Sequence, residues 1–218
     1  MKIGILCACP AEFAPFERLI GEKAAAHKGC LVLEGELCGK SAAVICCGLG
    51  KVNAAIGAAL LINDFSADRV ILSGVAGALA DGLHIGDAVM ITDTLYHDLD
   101  AGLLKAYHPS PIDPVFQCDT ELIELARALP MRFGRTVTGD SFIEDEGRDE
   151  LIEKFHPLTC DMETAAAAHM CRTLGVPFNA VRAVSDTKEE SGLGSFEKNV
   201  AFASEKACDA LCKLIELM

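Results

Sequence analysis

Asp186 closes an apolar run, Phe178-Asn179-Ala180-Val181-Arg182-Ala183-Val184-Ser185-Asp186, and is the first residue of this chain at which to look for chemistry. Following Gly175 and Pro177, the run reads as a buried strand entered from a helix. A packed strand has no use for a serine and a carboxylate except at its rim. In open α/β sheets, ligands sit just beyond the carboxyl ends of the strands. A purely structural reading stands beside this one. Arg182 and Asp186 share a face by the period of two and would then pair as a salt bridge. Other acids fall at helix starts: Glu12 just after Pro10, and Asp161 and Glu163 ahead of a helix that runs to Gly175. The helix dipole favours carboxylates there, which explains them without chemistry.

The elements that must position these residues alternate along the chain. Lys2–Cys9 is a short apolar strand, and Pro10 opens the first helix. Residues 30–37 and 41–47 are two strands joined by a Cys-Gly-Lys turn. The second strand leads through Gly48-Leu49-Gly50-Lys51 into an alanine-rich helix from about Val52 to Asp64. Gly48-x-Gly50-x-x-Asn53 lacks the third glycine of a dinucleotide fingerprint, and Asp64 and Asp68 lie too near to serve as the ribose acid. A tight strand-to-helix turn accounts for it. Arg69–Leu72 is a buried strand opening into Ser73-Gly74-Val75-Ala76-Gly77-Ala78, whose small residues permit either close approach to a flat ligand or a crowded turn.

Gly86–Thr94 is another strand, continuing towards Tyr96-His97-Asp98. Residues 99–117, with three prolines, read as a long loop, and such loops are usually functional or interfacial. A helix at Thr120–Leu129, a strand at Arg132–Thr138, a helix near 146–155 and a brief strand at Leu158–Cys160 precede the helix that begins at Asp161-Met162-Glu163. A polar loop at 187–195 could act as a lid, and Phe196 onward is a closing amphipathic helix. There are no repeats, low-complexity tracts or linkers, so residues 1–218 are read as one domain.

Bulk properties narrow the function. Hydrophobic residues make up 51% of the chain, enough for a large core. A net charge of -13 argues against nucleic acid or an anionic membrane as a partner, because both repel such a surface. No apolar run approaches a membrane span. Leu6-Cys7-Ala8-Cys9 resembles a lipoprotein cleavage box, but the apolar segment before it is too short for a signal peptide. The eleven cysteines are odd in number, scattered and without CxxC pairs, so they read as reduced, buried thiols of a cytoplasmic protein. The six histidines form no HxxxH or HExxH pair, and no metal site is expected.

Taken in order, several segments carry a resemblance. They are Met1-Lys2-Ile3-Gly4-Ile5 with Glu12, Gly48-Leu49-Gly50-Lys51-Val52, Gly74-Val75-Ala76-Gly77 and Tyr96-His97-Asp98. They continue with Gly139-Asp140-Ser141-Phe142-Ile143, Met162-Glu163-Thr164-Ala165 and Arg182-Ala183-Val184-Ser185-Asp186. Over essentially its whole length the chain resembles the methylthioadenosine/S-adenosylhomocysteine nucleosidases of the purine nucleoside phosphorylase-like superfamily. The resemblance implies a three-layer α/β/α sandwich with a mixed central sheet, a homodimer, no cofactor, and hydrolysis of the adenine–ribose bond in 5'-thio-substituted adenosines.

It also implies residue roles. Departing adenine is a poor anion, so an acid must protonate N7 as the bond lengthens. Asp186 matches that acid and must carry a proton near neutral pH, which burial or a neighbouring acid would favour. Ser185 would hold the purine or the acid. Glu12 matches the general base for water, and Arg182 the residue that helps orient that water. Glu163 matches the binder of the ribose hydroxyls, with Met162 packing on the sugar. Both carboxylates would stabilise an oxocarbenium-like sugar. Phe142 matches the aromatic that stacks on adenine, Ile143 supplies backbone contacts, and Phe196 closes the other side. Ala76 and Gly77 complete the substrate wall.

The chain departs from the family pattern in places. Val75 stands where a serine is usual near the water, and Cys9 replaces a methionine beside the sugar. In the 99–108 loop, which in the family lines the neighbouring subunit's 5' pocket, Ala101, Leu104 and Ala106 replace bulkier types. A nucleoside phosphorylase would need arginines where Leu72-Ser73 and Glu12 stand. An aminodeoxyfutalosine nucleosidase would use the same acid and base. A non-catalytic nucleoside-binding module would have no need to keep Glu12, Glu163 and Asp186 together.

Overall fold

The computed structural model describes residues 1–218, apart from the side chains of Asp145 and Glu146. The chain begins with β1 (Lys2–Cys7), α1 (Pro10–Ile20), β2 (Ala25–His27), β3 (Cys30–Leu37), β4 (Lys40–Cys46) and α2 (Lys51–Asn63). It continues through β5 (Arg69–Ala78), β6 (Ala88–Tyr96), α3 (Ala101–Tyr107), β7 (Phe116–Gln117), α4 (Thr120–Ala126) and β8 (Arg132–Thr138). The last elements are α5 (Asp145–Phe155), β9 (Thr159–Asp161), α6 (Thr164–Leu174), β10 (Phe178–Asp186) and α7 (Leu193–Glu216). Among the described residues, no helix is long and apolar enough to cross a membrane.

One mixed sheet of ten strands runs through all of this. β1 lies between β4 and β5, parallel to both, with Ile5 opposite Val44 and Ile71. Its buried residues are almost all apolar because a parallel strand is covered on both faces. β10 runs parallel to β5 and antiparallel to β6, and β6 connects through β8 and β9 back to β5. That half of the sheet therefore curls until it closes on itself. The other half stays open through β4, β3 and β2.

Helices cover the two faces. α1 packs on α7, and α2 packs on α6. The α2 layer approaches closely: a Cβ on Gly57 would meet Leu6 Cδ1 at 2.5 Å and Cys47 Cβ at 2.7 Å. This is the expected three-layer arrangement.

Besides β2, which the sequence did not announce, and shifts of a few residues at several ends, four differences from the sequence expectation stand out. β5 does not stop at Leu72 but continues through the small-residue stretch to Ala78. The 99–117 segment contains α3 and β7 instead of being loop throughout. α3 begins on a cap from Asp100, whose Oδ1 accepts from Leu103 N at 2.8 Å, and it buries no residue, so it leaves no apolar periodicity to read. α6 starts at Thr164, with Asp161 ending β9 and Glu163 at the cap. α7 starts at Leu193, three residues before Phe196.

Candidate active site

Beyond the carboxyl ends of β1, β5 and β10, the chain encloses a cavity of about 290 Å³. The turn from β1 into α1 contributes Cys9 and Glu12, and the end of β5 contributes Val75, Ala76 and Gly77. Phe142 and Ile143 enter from the segment after β8, Met162 and Glu163 from the β9–α6 junction, and Ser185 and Asp186 from β10. Phe196 of α7 completes the wall. Arg182 alone of the expected residues does not reach it. Ala8, Leu49, Ser141, Cys160, Asp161 and Leu193 also line the cavity and were given no role in the site from the sequence.

Glu12 is buried and held by backbone. Its Oε2 accepts from Ala8 N at 2.6 Å and Cys9 N at 3.3 Å, and its Oε1 accepts from Val75 N at 2.8 Å. The third position of a helix is where a glutamate can reach back to the residue before the helix, so this geometry follows from the Cys9-Pro10-Ala11-Glu12 sequence. Gly74 makes room for it, since a Cβ there would overlap the Glu12 carboxylate. Val75, in place of the family serine, still bonds Glu12 through its backbone. Its side chain packs with Ala183, Ala203 and Ala207.

Glu163 lies across from Glu12. Gly50 N donates to its Oε1 at 2.9 Å, so the turn between β4 and α2 orients a carboxylate. Arg182 Nη2 donates to its Oε2 at 3.1 Å. Arg182 is 1% exposed and also faces Asp161 at 3.2 Å, with Glu12 farther off at 3.9 Å. It thus sits behind the carboxylates, nearer Glu163 and Asp161 than Glu12. Asp161, at the end of β9, anchors the start of α6, its Oδ1 accepting from Glu163 N at 3.1 Å and Thr164 N at 3.0 Å.

Three acids share this one guanidinium. The arginine is accordingly held more firmly protonated by Asp161, Glu12 and Glu163, against the cost of its burial. Each acid is only partly compensated. Burial pushes the Glu163 carboxyl up to about 7, with Asp161 and Glu12 adding to the rise and Arg182 opposing it. The native state therefore holds this proton more tightly than the unfolded chain, and stability falls as pH rises through the window from about 4.5 to about 7. Relative to Glu163→Gln, the wild type should lose on the order of 1–3 kcal/mol across that window. Melting temperatures of both proteins at pH 4.5 to 8 check this. A constant difference between them would reject it.

Asp186 departs most from expectation. The alternation of a regular strand would put it on the Arg182 face, but β10 shifts register between Val184 and Asp186, which re-aims the end of the strand. Asp186 does not pair with Arg182. Its partner is Arg148 of α5, whose Nη2 donates to Asp186 Oδ2. The group beside the expected acid is thus a guanidinium rather than another acid. Ser185 Oγ donates to Oδ1 at 2.8 Å. Gly77 lets the carboxylate approach, since a Cβ there would lie 2.9 Å from Oδ2. Nothing in the charged stretch around Arg148 marks it as buried; it reads as a solvated helix face.

Phe142 and Phe196 meet edge to face, with centroids 6.0 Å apart at 75°, across the outer part of the cavity. Burial pushes the Cys9 thiol up to about 11, so it is protonated at neutral pH. All eleven cysteines are free thiols, and no group of three or more His, Cys, Asp or Glu among the described residues is arranged to hold a metal ion. Among the described residues the cavity wall has four carboxylate side chains, Glu12, Asp161, Glu163 and Asp186, and no lysine, arginine or histidine.

The family model described as the phosphorylase superfamily matches residues 2–216. The 5'-methylthioadenosine/S-adenosylhomocysteine nucleosidase of Actinobacillus succinogenes is 39% identical, with 99% of this chain and 98% of that protein covered. The solved enzyme of the same name from Neisseria meningitidis, in complex with methylthio-immucillin-A, superposes with a TM-score of 0.90 at 31% identity, over 100% of this chain and 99% of that one. The futalosine hydrolase of Helicobacter pylori superposes with a TM-score of 0.88 at 26% identity, over 100% and 98% of the two chains. Similarity that runs from end to end and extends to the fold leaves one assignment: the chain belongs to the 5'-methylthioadenosine/S-adenosylhomocysteine nucleosidase family, within the phosphorylase superfamily, and is an N-glycosyl hydrolase.

Proposed function

We propose that the protein cleaves 5'-methylthioadenosine and S-adenosylhomocysteine to adenine and the free 5'-thio-ribose, as a cytoplasmic step of methionine salvage. The observation that carries this reading is a cavity wall with four acidic side chains and, among the described residues, no lysine, arginine or histidine. A developing sugar cation is stabilised there, a water can be activated there, and a phosphate dianion is repelled.

In this reading Asp186 gives a proton to purine N7 while the glycosidic bond breaks, and Glu12 takes a proton from the water that attacks C1'. Glu163 accepts hydrogen bonds from the ribose hydroxyls, with Met162 and Cys9 against the sugar. Phe142 and Phe196 bracket the base, and Ile143, Ala76, Gly77 and Ser185 line its edge. Arg182, behind the wall, keeps Glu163 in position, and its Nη1, without a hydrogen-bond partner among the described residues and 3.9 Å from Glu12 Oε1, helps orient the water. No step calls for a metal or organic cofactor.

The test is a product assay with methylthioadenosine, S-adenosylhomocysteine, inosine and aminodeoxyfutalosine, each with and without phosphate. Adenine and free 5'-thio-ribose at equal rates in both buffers are expected. A strict phosphate requirement yielding a sugar 1-phosphate would move the protein to the transferases. The likeness to a futalosine hydrolase supports aminodeoxyfutalosine as the second reading, and turnover of that substrate ahead of the others would select it.

A homodimer belongs to the same proposal. Leu99, Leu103 and Tyr107 in and before α3, and Leu49, Val52 and Ile56 around the start of α2, are exposed apolar side chains. The Lys51–Asp98 ion pair at 2.8 Å ties the two regions together. An apolar surface of this kind marks an interface. Light scattering should give a dimeric mass, and a monomeric mass at full activity and assay concentration would reject this.

A further inference from the structure

Arg148 is a fully buried cation that the proposed mechanism does not use. It is 1% exposed, and besides Asp186 it holds the Ala78 carbonyl, to which Nη1 donates at 2.5 Å. Its Nε has no hydrogen-bond partner among the described residues. A buried ion pair is seldom retained for stability, because a well-packed apolar pair of similar volume does as well or better. We propose that Arg148 is a positioning residue for the proton donor: it claims Asp186 Oδ2, so that Oδ1 is the oxygen that carries the proton to the purine. This rests on the reading of Asp186 as the general acid.

The argument is one of donors and acceptors. A guanidinium is only a donor and does not give up its proton. A proton on Oδ2 would therefore face an N–H that cannot turn away. Oδ1 is held instead by the Ser185 hydroxyl, which can rotate. Ser185 Oγ also lies 3.4 Å from the Ala76 carbonyl, an alternative acceptor for its hydrogen. Oδ1 can thus take up a proton without any heavy atom moving.

During the reaction the Oδ1–H bond breaks and an N7–H bond forms. The electron pair of the broken bond stays on Asp186, which becomes a carboxylate. Arg148 stands ready beside that developing charge in a site shielded from water, and so strengthens the acid. Other neighbours do not share this task. Ala78 offers only its carbonyl, Lys188 pairs with Asp149 at 3.1 Å, and Asp161 and Glu163 turn to Arg182. Asn199 of α7 donates to the Ser185 carbonyl, and burial pushes the Cys160 thiol of β9 up to about 12, so it stays neutral. Arg148 is the one ion-pair partner of Asp186 among the described residues.

The experiment follows kcat against pH for wild type, Arg148→Met, Arg148→Lys, Asp186→Asn and the double variant Asp186→Asn/Arg148→Met, on methylthioadenosine. Arg148→Met should lower kcat about tenfold or more through misplacement of the acid. It should also move the alkaline fall of kcat to higher pH, since the cation beside the developing carboxylate is gone. Arg148→Lys should restore part of both, and in the Asp186→Asn background Arg148→Met should cost nothing further. Should Arg148→Met fail to give soluble enzyme, Arg148→Gln, which keeps an N–H donor without the charge, carries the same profile test. An unshifted alkaline limb, or an equal loss in both backgrounds, overturns the inference. If Asp186→Asn is inactive in that case, the acid assignment survives alone. Near wild-type kcat in Asp186→Asn would remove the acid assignment and this inference with it.

Discussion

Asp186→Asn should lower kcat by about 10²–10⁴-fold, the usual contribution of one general acid. An amide still hydrogen-bonds a purine but has no proton to deliver to N7, so the loss falls on kcat more than on binding of an unreactive analogue. From the sequence alone this variant would be expected to leave the fold intact. The Arg148 pair changes that expectation, because the substitution strips a buried guanidinium of its counter-charge. Breaking a buried pair from one side costs about 3–5 kcal/mol, and the asparagine oxygen, still an acceptor, recovers part of it. A lowered melting temperature should therefore accompany the lost turnover. Single-turnover kinetics on protein verified as folded separates the two effects. Near wild-type kcat would return Asp186 to a structural role as an ion-pair partner.

Glu12→Gln should cripple turnover to a similar degree, by about 10²–10⁴-fold, through loss of the base that activates water. The geometry adds a second effect. Glu12 accepts three backbone N–H bonds, on both of its oxygens. Glutamine has one oxygen, and its NH₂ would face a donor wherever it replaced the other. Some disturbance of the β1–α1 turn is therefore expected in addition to the lost base. Glu12→Asp keeps the charge but withdraws it by one methylene, and should fall between the two in kcat. Binding of a transition-state analogue measured beside kcat is the check, and a Glu12→Gln enzyme with undiminished hydrolysis would exclude Glu12 as the base.

The sequence by itself determined the order of the elements, β2, α3 and β7 apart, and which loops gather at the site. Continuous apolar runs at β1, β4, β5 and β10 can only be strands covered on both faces, and Pro10, Gly175 and the Phe178–Asp186 run mark ends that are local in origin. The resemblance over the full chain then named twelve residues of the cavity wall, Glu12, Glu163 and Asp186 among them. Three matters were decided by tertiary structure alone. Which group the Gly50 N–H would meet depended on Glu163, 113 positions away. Whether Arg182 paired with Asp186 depended on a register shift at Ser185 that no periodicity encodes. The partner that Asp186 does take comes from 38 positions earlier, on a helix whose sequence reads as solvated. A buried charge is satisfied by whichever group the packed layers bring within reach, and that is a property of non-local register and close helix–sheet approach rather than of any window of sequence.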